Sequence, residues 1–257
     1  MPELPEVETL CRQLQKKIAG EKITATEVCD PKLAHLQDLR GRTVRAVRRN
    51  GKMVEIILDH DDSVFIHLRM TGRLLWNTKG DKPKHSRWRM FFTGADVYLV
   101  DPRRFATVRI VKTQDMEVDN DLMLKFDQQA FVARHGRRKT AVKNLIMDQN
   151  AVAGIGNIYA CEILHCSGIN PARSAATLTP EDWRKIFSQA KRILRTAIKK
   201  RGTSISDWRD LKGCQGENQY ELKAYGQDGK ACSYCGSVIK RVKQGGRSTY
   251  YCPACQK

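Results

Sequence analysis

Met1-Pro2-Glu3-Leu4-Pro5-Glu6-Val7-Glu8 opens the chain, and the fold turns on what this run of prolines and acids leads into. Val7, Leu10, Cys11, Leu14 and Ile18 follow at three- and four-residue spacings and end at Gly20, which gives one apolar helical face. The acids suit a helix start, where the macrodipole favours negative charge. Pro2 or Pro5 fits a first-turn position that needs no N–H. The same residues support a second reading. Removing Met1 is sterically easy before the small Pro2 ring and would leave a secondary amine, with Glu3 beside it and Glu6 one helical turn on. An α-amine titrates near about 7.7–8.0, so an appreciable fraction is neutral and nucleophilic at working pH. No basic segment followed by an apolar run is present, so this is not a targeting sequence.

Beyond the helix the period changes. Between about Lys22 and Val111 the apolar residues fall in short β-type runs: Ile23–Val28, Thr43–Val47, Met53–Leu58, Ser63–Leu68, Trp88–Phe92 and Val97–Val100. Turn signals such as Asn50-Gly51 and Thr93-Gly94-Ala95-Asp96 separate them. Short strands with no helix between them predict an antiparallel sandwich or barrel. From about Asp119 the pattern is helical, through Leu122, Leu124, Phe126 and Phe131, then Ala141, Leu145 and Ile146. Gly154-Ile155-Gly156-Asn157 opens a further helix to about Cys166. Thr179 as cap and Pro180 at the first position predict a long helix through Ile198. The boundary is placed at 112–118, which divides the chain into 1–115, 116–220 and 221–257. Residues 202–220, rich in Gly, Ser, Asp and Gln, read as a mobile loop.

The chain has 257 residues, 41% of them hydrophobic, enough for two domains and an appendage. Lys and Arg outnumber Asp and Glu by 46 to 28, a net +18 that points to a polyanionic partner, nucleic acid first and acidic membrane second. No stretch approaches the roughly 18 apolar residues of a membrane span. The nine cysteines are an odd number, which argues for a reducing cytosol and a metal site over a disulfide scaffold.

Cys232-x2-Cys235-x16-Cys252-x2-Cys255 is the strongest local signal. Two thiolate pairs joined by a short Gly-containing hairpin can close a tetrahedral Zn²⁺ site with no open position for water, so the metal is structural. The segment 221–257 holds seven basic and two acidic residues, so the ribbon presents cations to phosphate, with Arg247 at the head of its second strand the most specific contact. Gly154 to Asn157 can form an anion site at a helix start, with Arg134, Arg137, Arg138, Lys139 and Lys143 as a positive collar. A packing helix with a glycine turn fits the same stretch. Met70 in His67-Leu68-Arg69-Met70-Thr71-Gly72 and Phe105 in Asp101-Pro102-Arg103-Arg104-Phe105 are candidate wedges between base pairs, with Arg103 and Arg104 as flanking DNA-binding guanidiniums. Core packing is the alternative for Met70 and Phe105, as a surface turn is for Lys52.

Together these stretches resemble the bacterial formamidopyrimidine-DNA glycosylases, within the helix–two-turn–helix glycosylases that include endonuclease VIII. The resemblance is colinear over the whole chain, from Pro2-Glu3-Leu4-Pro5-Glu6-Val7-Glu8-Thr9 to Tyr251-Cys252-Pro253-Ala254-Cys255-Gln256-Lys257. It implies an α+β chain: an N-terminal helix plus antiparallel β-sandwich, a helical domain with the helix–two-turn–helix element, and a C-terminal zinc ribbon holding one Zn²⁺. It also implies a bifunctional glycosylase and abasic-site lyase for oxidised purines in double-stranded DNA. In that comparison Pro2 looks like the nucleophile on C1′, Glu3 like the acid that assists sugar opening, and Glu6 like the support of that corner. Lys52, Asn157 and Arg247 resemble a phosphate clamp, while Met70, Arg103 and Phe105 resemble the residues that fill the void. Residues 209–222 stand in the place of the loop that closes over the everted base. Arg69 stands where the family commonly has Gly, and Gln227 where it has Arg. The family further implies a monomer acting in the cytoplasm on the bacterial chromosome. Two other readings are an endonuclease VIII-like enzyme for oxidised pyrimidines, and a non-catalytic zinc-ribbon DNA-binding protein.

Overall fold

The computed structural model describes residues 1–78, 81–116 and 118–257. The chain divides into two compact units, 1–117 with 198–217, and 118–197 with 218–257. Residue 117, inside the expected boundary, lies outside the described residues.

The first unit begins with α1 (Leu4–Ile18), whose Val7, Leu10, Cys11, Leu14 and Ile18 are buried as the spacing predicts. Eight strands follow: β1 (Ala25–Val28), β2 (Val44–Asn50), β3 (Met53–Leu58), β4 (Asp62–His67), β5 (Arg73–Asn77), β6 (Ser86–Phe92), β7 (Ala95–Val100) and β8 (Thr107–Lys112). They form two four-stranded antiparallel sheets, in the orders β1-β6-β7-β5 and β2-β3-β4-β8. Helix α1 packs on β2 and β3. The apolar side chains of α1 share one core with those of both sheets, including Val54, Ile56, Val64, Ile66, Trp88, Met90 and Leu99. Strands β5 and β8 are additional to the β-type runs that the apolar pattern predicts. A two-residue turn of Gly51 and Lys52 joins β2 to β3, with Asn50 opposite Met53. Gly51 takes a φ of +58°, which a side chain would disfavour.

The stretch from 202, which reads as a mobile loop from composition, returns to this unit. Trp208 and Leu211 are buried in its core, and the Trp76 N–H donates to the Leu211 carbonyl at 3.1 Å.

The second unit contains α2 (Gln128–His135), α3 (Val142–Met147), α4 (Asn157–Ser167), α5 (Pro180–Lys199) and the hairpin β9 (Lys240–Gln244) and β10 (Arg247–Tyr251). The helix expected from about Asp119 begins only at Gln128. Asp127 accepts from the N–H groups of Gln129 and Ala130 at 2.8 and 3.0 Å and caps the helix there. Leu124, read as part of a helical stripe, is 63% exposed. Helix α5 starts as expected: the Asp182 N–H donates to the Thr179 hydroxyl at 3.1 Å, and the Thr179 N–H donates back to the Asp182 carboxylate at 3.0 Å. The segment between α3 and α4 turns at 149–151 and bends at 152 and 154, and with its two helices it forms the helix–two-turn–helix region. Among the described residues no helix is long and apolar enough to cross a membrane.

Candidate active site and nucleic-acid interface

Pro2 is buried at the front of α1, while Met1 is 42% exposed. A reciprocal capping box fixes this corner. The Glu3 N–H donates to Glu6 Oε2 at 2.8 Å, and the Glu3 carboxylate accepts from the Glu6 N–H. Glu6 Oε1 also accepts the Thr203 N–H at 2.7 Å. Both carboxylates are nearly inaccessible, at 3% for Glu3 and 2% for Glu6. Gly202 lies against Glu6 so closely that an added Cβ would stand 2.7 Å from Oε1 and 2.8 Å from Cγ. Nothing local links Gly202-Thr203 to Glu6 across 197 residues of chain, so these supports were missed; only the glycine just past a helix end was visible.

Lys52, in the β2–β3 turn, is 6% exposed. The turn is braced by Arg49, whose Nε donates to Glu8 at 3.0 Å and whose Nη1 donates to the Gly51 carbonyl at 3.1 Å. Glu8 sits on α1, so one ion pair ties the Lys52 turn to the helix that carries Pro2. His67, opposite Met53 in the β3–β4 ladder, lies beside this turn, a proximity that no local pattern reveals. Burial, with the cations of Arg69 and Lys52 nearby, pushes the His67 pKa down to about 4. Its Nδ1 accepts the Arg69 N–H at 3.0 Å, so the neutral ring carries its proton on Nε2 and offers a donor there.

The two candidate wedge turns are joined through Asp101. Its buried carboxylate accepts the Thr71 hydroxyl at 2.5 Å, the Arg103 N–H at 3.2 Å, and the Phe105 and Ala106 N–H groups at 2.7 Å each. Burial alone would raise the Asp101 pKa, but these donors outweigh it and the net shift is downward. Met70 and Phe105 are left 50% and 48% exposed, a poor placement for core residues. The Arg103 guanidinium lies 4.8 Å above the Phe105 ring. Arg104 is placed differently: its guanidinium is paired with the buried Asp30, which also accepts from Arg87 Nε at 2.6 Å. Arg104, followed by Arg87, holds the Asp30 carboxyl far below the usual carboxylate range. Arg69 and Arg104 both adopt φ of +56°, so strain gathers at the two wedge turns. At position 69 this is the backbone geometry that glycine, the residue common in the resembling family, takes at no cost.

In the second unit, Lys143 is fully buried and its Nζ donates to Asn157 Oδ1 at 2.6 Å. Asn157 Nδ2 donates to the Ser248 carbonyl at 2.9 Å, beside the exposed Arg247. Three residues proposed from separate stretches are thus brought to one place at the front of α4. Arg134, Arg137, Arg138 and Lys139 are exposed, with Arg138 3.6 Å from Asp148. Lys143 is therefore set apart from the solvated collar in which the sequence grouped it.

The sulfurs of Cys232, Cys235, Cys252 and Cys255 lie within 4.8 Å of one another. Cys232 and Cys255 are 3.9 Å apart, Cys235 and Cys252 3.5 Å. Zn–S bonds of about 2.3 Å in a tetrahedron set sulfurs about 3.8 Å apart, so the donor set fits a structural zinc ion. None of the nine cysteines is in a disulfide.

A buried proline beside a Glu3–Glu6 capping box, exposed apolar side chains at two turns of a β-sandwich, a helix–two-turn–helix and a four-cysteine ribbon define a DNA glycosylase. Family models agree along the chain. The formamidopyrimidine-DNA glycosylase N-terminal domain matches residues 1–108, the H2TH domain of the same enzymes matches 119–208, and the zinc finger found in FPG and IleRS matches 229–257. The chain belongs to the formamidopyrimidine-DNA glycosylase family. It is 38% identical to the formamidopyrimidine-DNA glycosylase of Pelotomaculum thermopropionicum, over 100% of this chain and 99% of that protein. With the enzyme of Carboxydothermus hydrogenoformans the identity is 37% over the full length of both. Among solved structures, a Lactococcus lactis FPG mutant in complex with Fapy-dG-containing DNA superposes with a TM-score of 0.92 at 31% identity, covering both chains fully. The Lactococcus lactis Fpg bound to DNA containing an abasic site gives 0.91 at 31%, again over both chains.

Proposed function

We propose that the Pro2 nitrogen, freed by removal of Met1, attacks C1′ of an oxidised purine nucleotide while Glu3 supplies and accepts protons at the opening sugar. The protein is a bifunctional DNA glycosylase and abasic-site lyase acting on formamidopyrimidines and 8-oxoguanine in duplex DNA through a Schiff base. The carrying observation is the capping box that seats the Pro2 end of α1 against Glu3 and Glu6. As the nitrogen bonds to C1′, the glycosidic bond breaks and its electron pair leaves with the base. The nitrogen then loses its proton and its lone pair forms the C1′=N bond as the C1′–O4′ bond breaks, with O4′ taking a proton from Glu3; the resulting iminium is cationic without needing a proton and acidifies C2′. Loss of a proton there expels the 3′ phosphate, and a second elimination expels the 5′ phosphate.

Lys52, Lys143, Asn157 and Arg247 hold the DNA backbone, and Met70, Arg103 and Phe105 fill the space left by the everted nucleotide. Eversion costs a few kcal/mol, which these contacts offset. Arg104 supports the wedge turn through Asp30. The four cysteines hold zinc, which when bound keeps the ribbon folded. The enzyme acts as a monomer on chromosomal DNA in the cytoplasm, with no membrane partner.

The test is borohydride trapping. Protein lacking Met1, incubated with an 8-oxoguanine·cytosine duplex and sodium borohydride, forms a covalent adduct; Met1-retaining protein forms little or none, and Pro2→Gly loses or much slows strand cleavage. An adduct of equal yield without a free Pro2 amine sinks the mechanism. Excision compared on 8-oxoguanine, formamidopyrimidine and thymine glycol duplexes tests the purine preference, which fails if thymine glycol is removed fastest.

A further inference from the structure

The zinc site has a neighbour outside its four ligands. His165, near the end of α4, is 1% exposed, and its Nε2 lies 3.3 Å from Cys232 Sγ, itself 3% exposed. The other ring nitrogen, Nδ1, is buried with no hydrogen-bond partner among the described residues. A neutral imidazole carries one proton. A metal-bound cysteine is a thiolate, which only accepts, so the one arrangement that satisfies the N–H puts the proton on Nε2, pointing at sulfur.

The ring is held in that pose from the ribbon itself. Tyr234, between the ligands Cys232 and Cys235, stacks on His165 with centroids 5.1 Å apart and planes 23° apart. The Tyr234 hydroxyl is in turn 3.3 Å from Lys223 Nζ and 3.5 Å from Cys166 Sγ. The Tyr234 N–H is directed at the same Cys232 sulfur at 3.5 Å. Four thiolates around a dication leave an excess of two negative charges, and Cys232 is, with Cys252, one of the two ligands buried in the protein. N–H donors there draw charge from the sulfur and fix its direction toward a bound metal.

We propose that His165 is a positioning residue of the zinc centre: its Nε2–H hydrogen-bonds the Cys232 thiolate, slows loss of the metal and joins the ribbon to the helix that begins at Asn157. This goes beyond the reading of the enzyme's activity and does not depend on it.

The experiment uses the full-length protein. Zinc release to the chromogenic chelator pyridylazoresorcinol is timed for the native protein, His165→Phe and His165→Gln. Phenylalanine keeps a ring against Tyr234 but no donor, and glutamine keeps an N–H. Loss of an outer hydrogen bond to a ligand typically weakens metal binding by about 10–100-fold. His165→Phe is therefore expected to release zinc at least about tenfold faster, with His165→Gln between it and the native protein. Equal release by the native and His165→Phe proteins overturns the proposal. A measurement on unmutated protein guards against misfolding of the variants. In protein loaded with NMR-active cadmium, the His165 ring proton is expected on Nε2 and scalar-coupled to the metal through sulfur. A ring proton on Nδ1, or one on Nε2 with no coupling, overturns it.

Discussion

Gly202→Ala is the sharpest single perturbation of the catalytic corner. Gly202 has φ of +83°, and the new methyl would sit 2.7 Å from Glu6 Oε1 and 2.8 Å from its Cγ. A carboxylate at the end of a side chain can usually swing away. Here it is held by the Thr203 N–H at 2.7 Å and the Glu3 N–H at 2.8 Å, so moving it breaks at least one charge-assisted hydrogen bond. A positive φ costs a non-glycine residue roughly 1–2 kcal/mol. The lost bond adds about 1.5–3 kcal/mol, and the stiffer unfolded chain returns about 0.4–1 kcal/mol. The net is a destabilisation of about 2–4 kcal/mol. Gly213→Ala is the matched control: its φ is +81° and nothing lies within 4 Å of the added atom, so it carries only the backbone penalty, about 1 kcal/mol. Urea unfolding gives the stabilities. Single-turnover cleavage of an abasic-site duplex gives the chemistry without base recognition. Displacing the Pro2–Glu3 corner by a large fraction of an ångström should slow cleavage on the order of 10²-fold in Gly202→Ala and leave Gly213→Ala near the native rate. If the two variants unfold and cleave alike, Glu6 is not the link between Gly202 and the active corner.

Arg247→Ala should weaken binding to damaged and undamaged duplex alike and lower the slope of log affinity against log salt by about one, as fluorescence anisotropy would show. An unchanged slope removes Arg247 from the phosphate contacts. Because the folded-state pKa of His67 is lowered to about 4 from an unfolded value of about 6.5, the unfolded chain takes up the proton first as pH falls. The stability contributed by neutral His67 is thus complete above about pH 6.5, is lost between about pH 6.5 and 4, and His67→Gln should flatten that part of the profile in urea titrations. Cys252→Ser removes a fully buried ligand and should abolish stoichiometric zinc, measured by elemental analysis, together with tight DNA binding. Retention of both would refute the structural role of the metal.

The parts most legible in the sequence were those set by local periodicity and spacing. The apolar face of α1, the cysteine pairs and the Thr179-Pro180 start of α5 each rest on residues within a few positions of one another. What escaped was fixed by distant partners. Asp30 accepts from Arg87 and Arg104, and that pairing turns Arg104 away from the role its neighbour Arg103 suggests. Lys143 looked like one cation among five until its burial against Asn157 set it apart. The stretch after 202 looked loose because its polar composition hides two apolar residues, Trp208 and Leu211, whose partners lie in strands more than a hundred residues earlier. The false start of α2 came from reading Leu122 and Leu124 as a stripe, when the Asp127 cap sets the first turn.

The return of residues 198–217 to the first unit has a consequence for the order in which the molecule is made. A ribosome delivers the whole sandwich, with Pro2 and Glu3 in place, about ninety to a hundred residues before it delivers Thr203, Trp208 and Leu211. Until then the core lacks two of its members and Glu6 lacks one of the two N–H groups that hold it. A nascent or truncated chain that ends within the helices therefore has Pro2 and Glu3 without the Thr203 bond to Glu6. The gap closed by the Thr203–Glu6 bond, 197 residues, also makes it a sensor of completion, since it forms only once the intervening helical segment has been made.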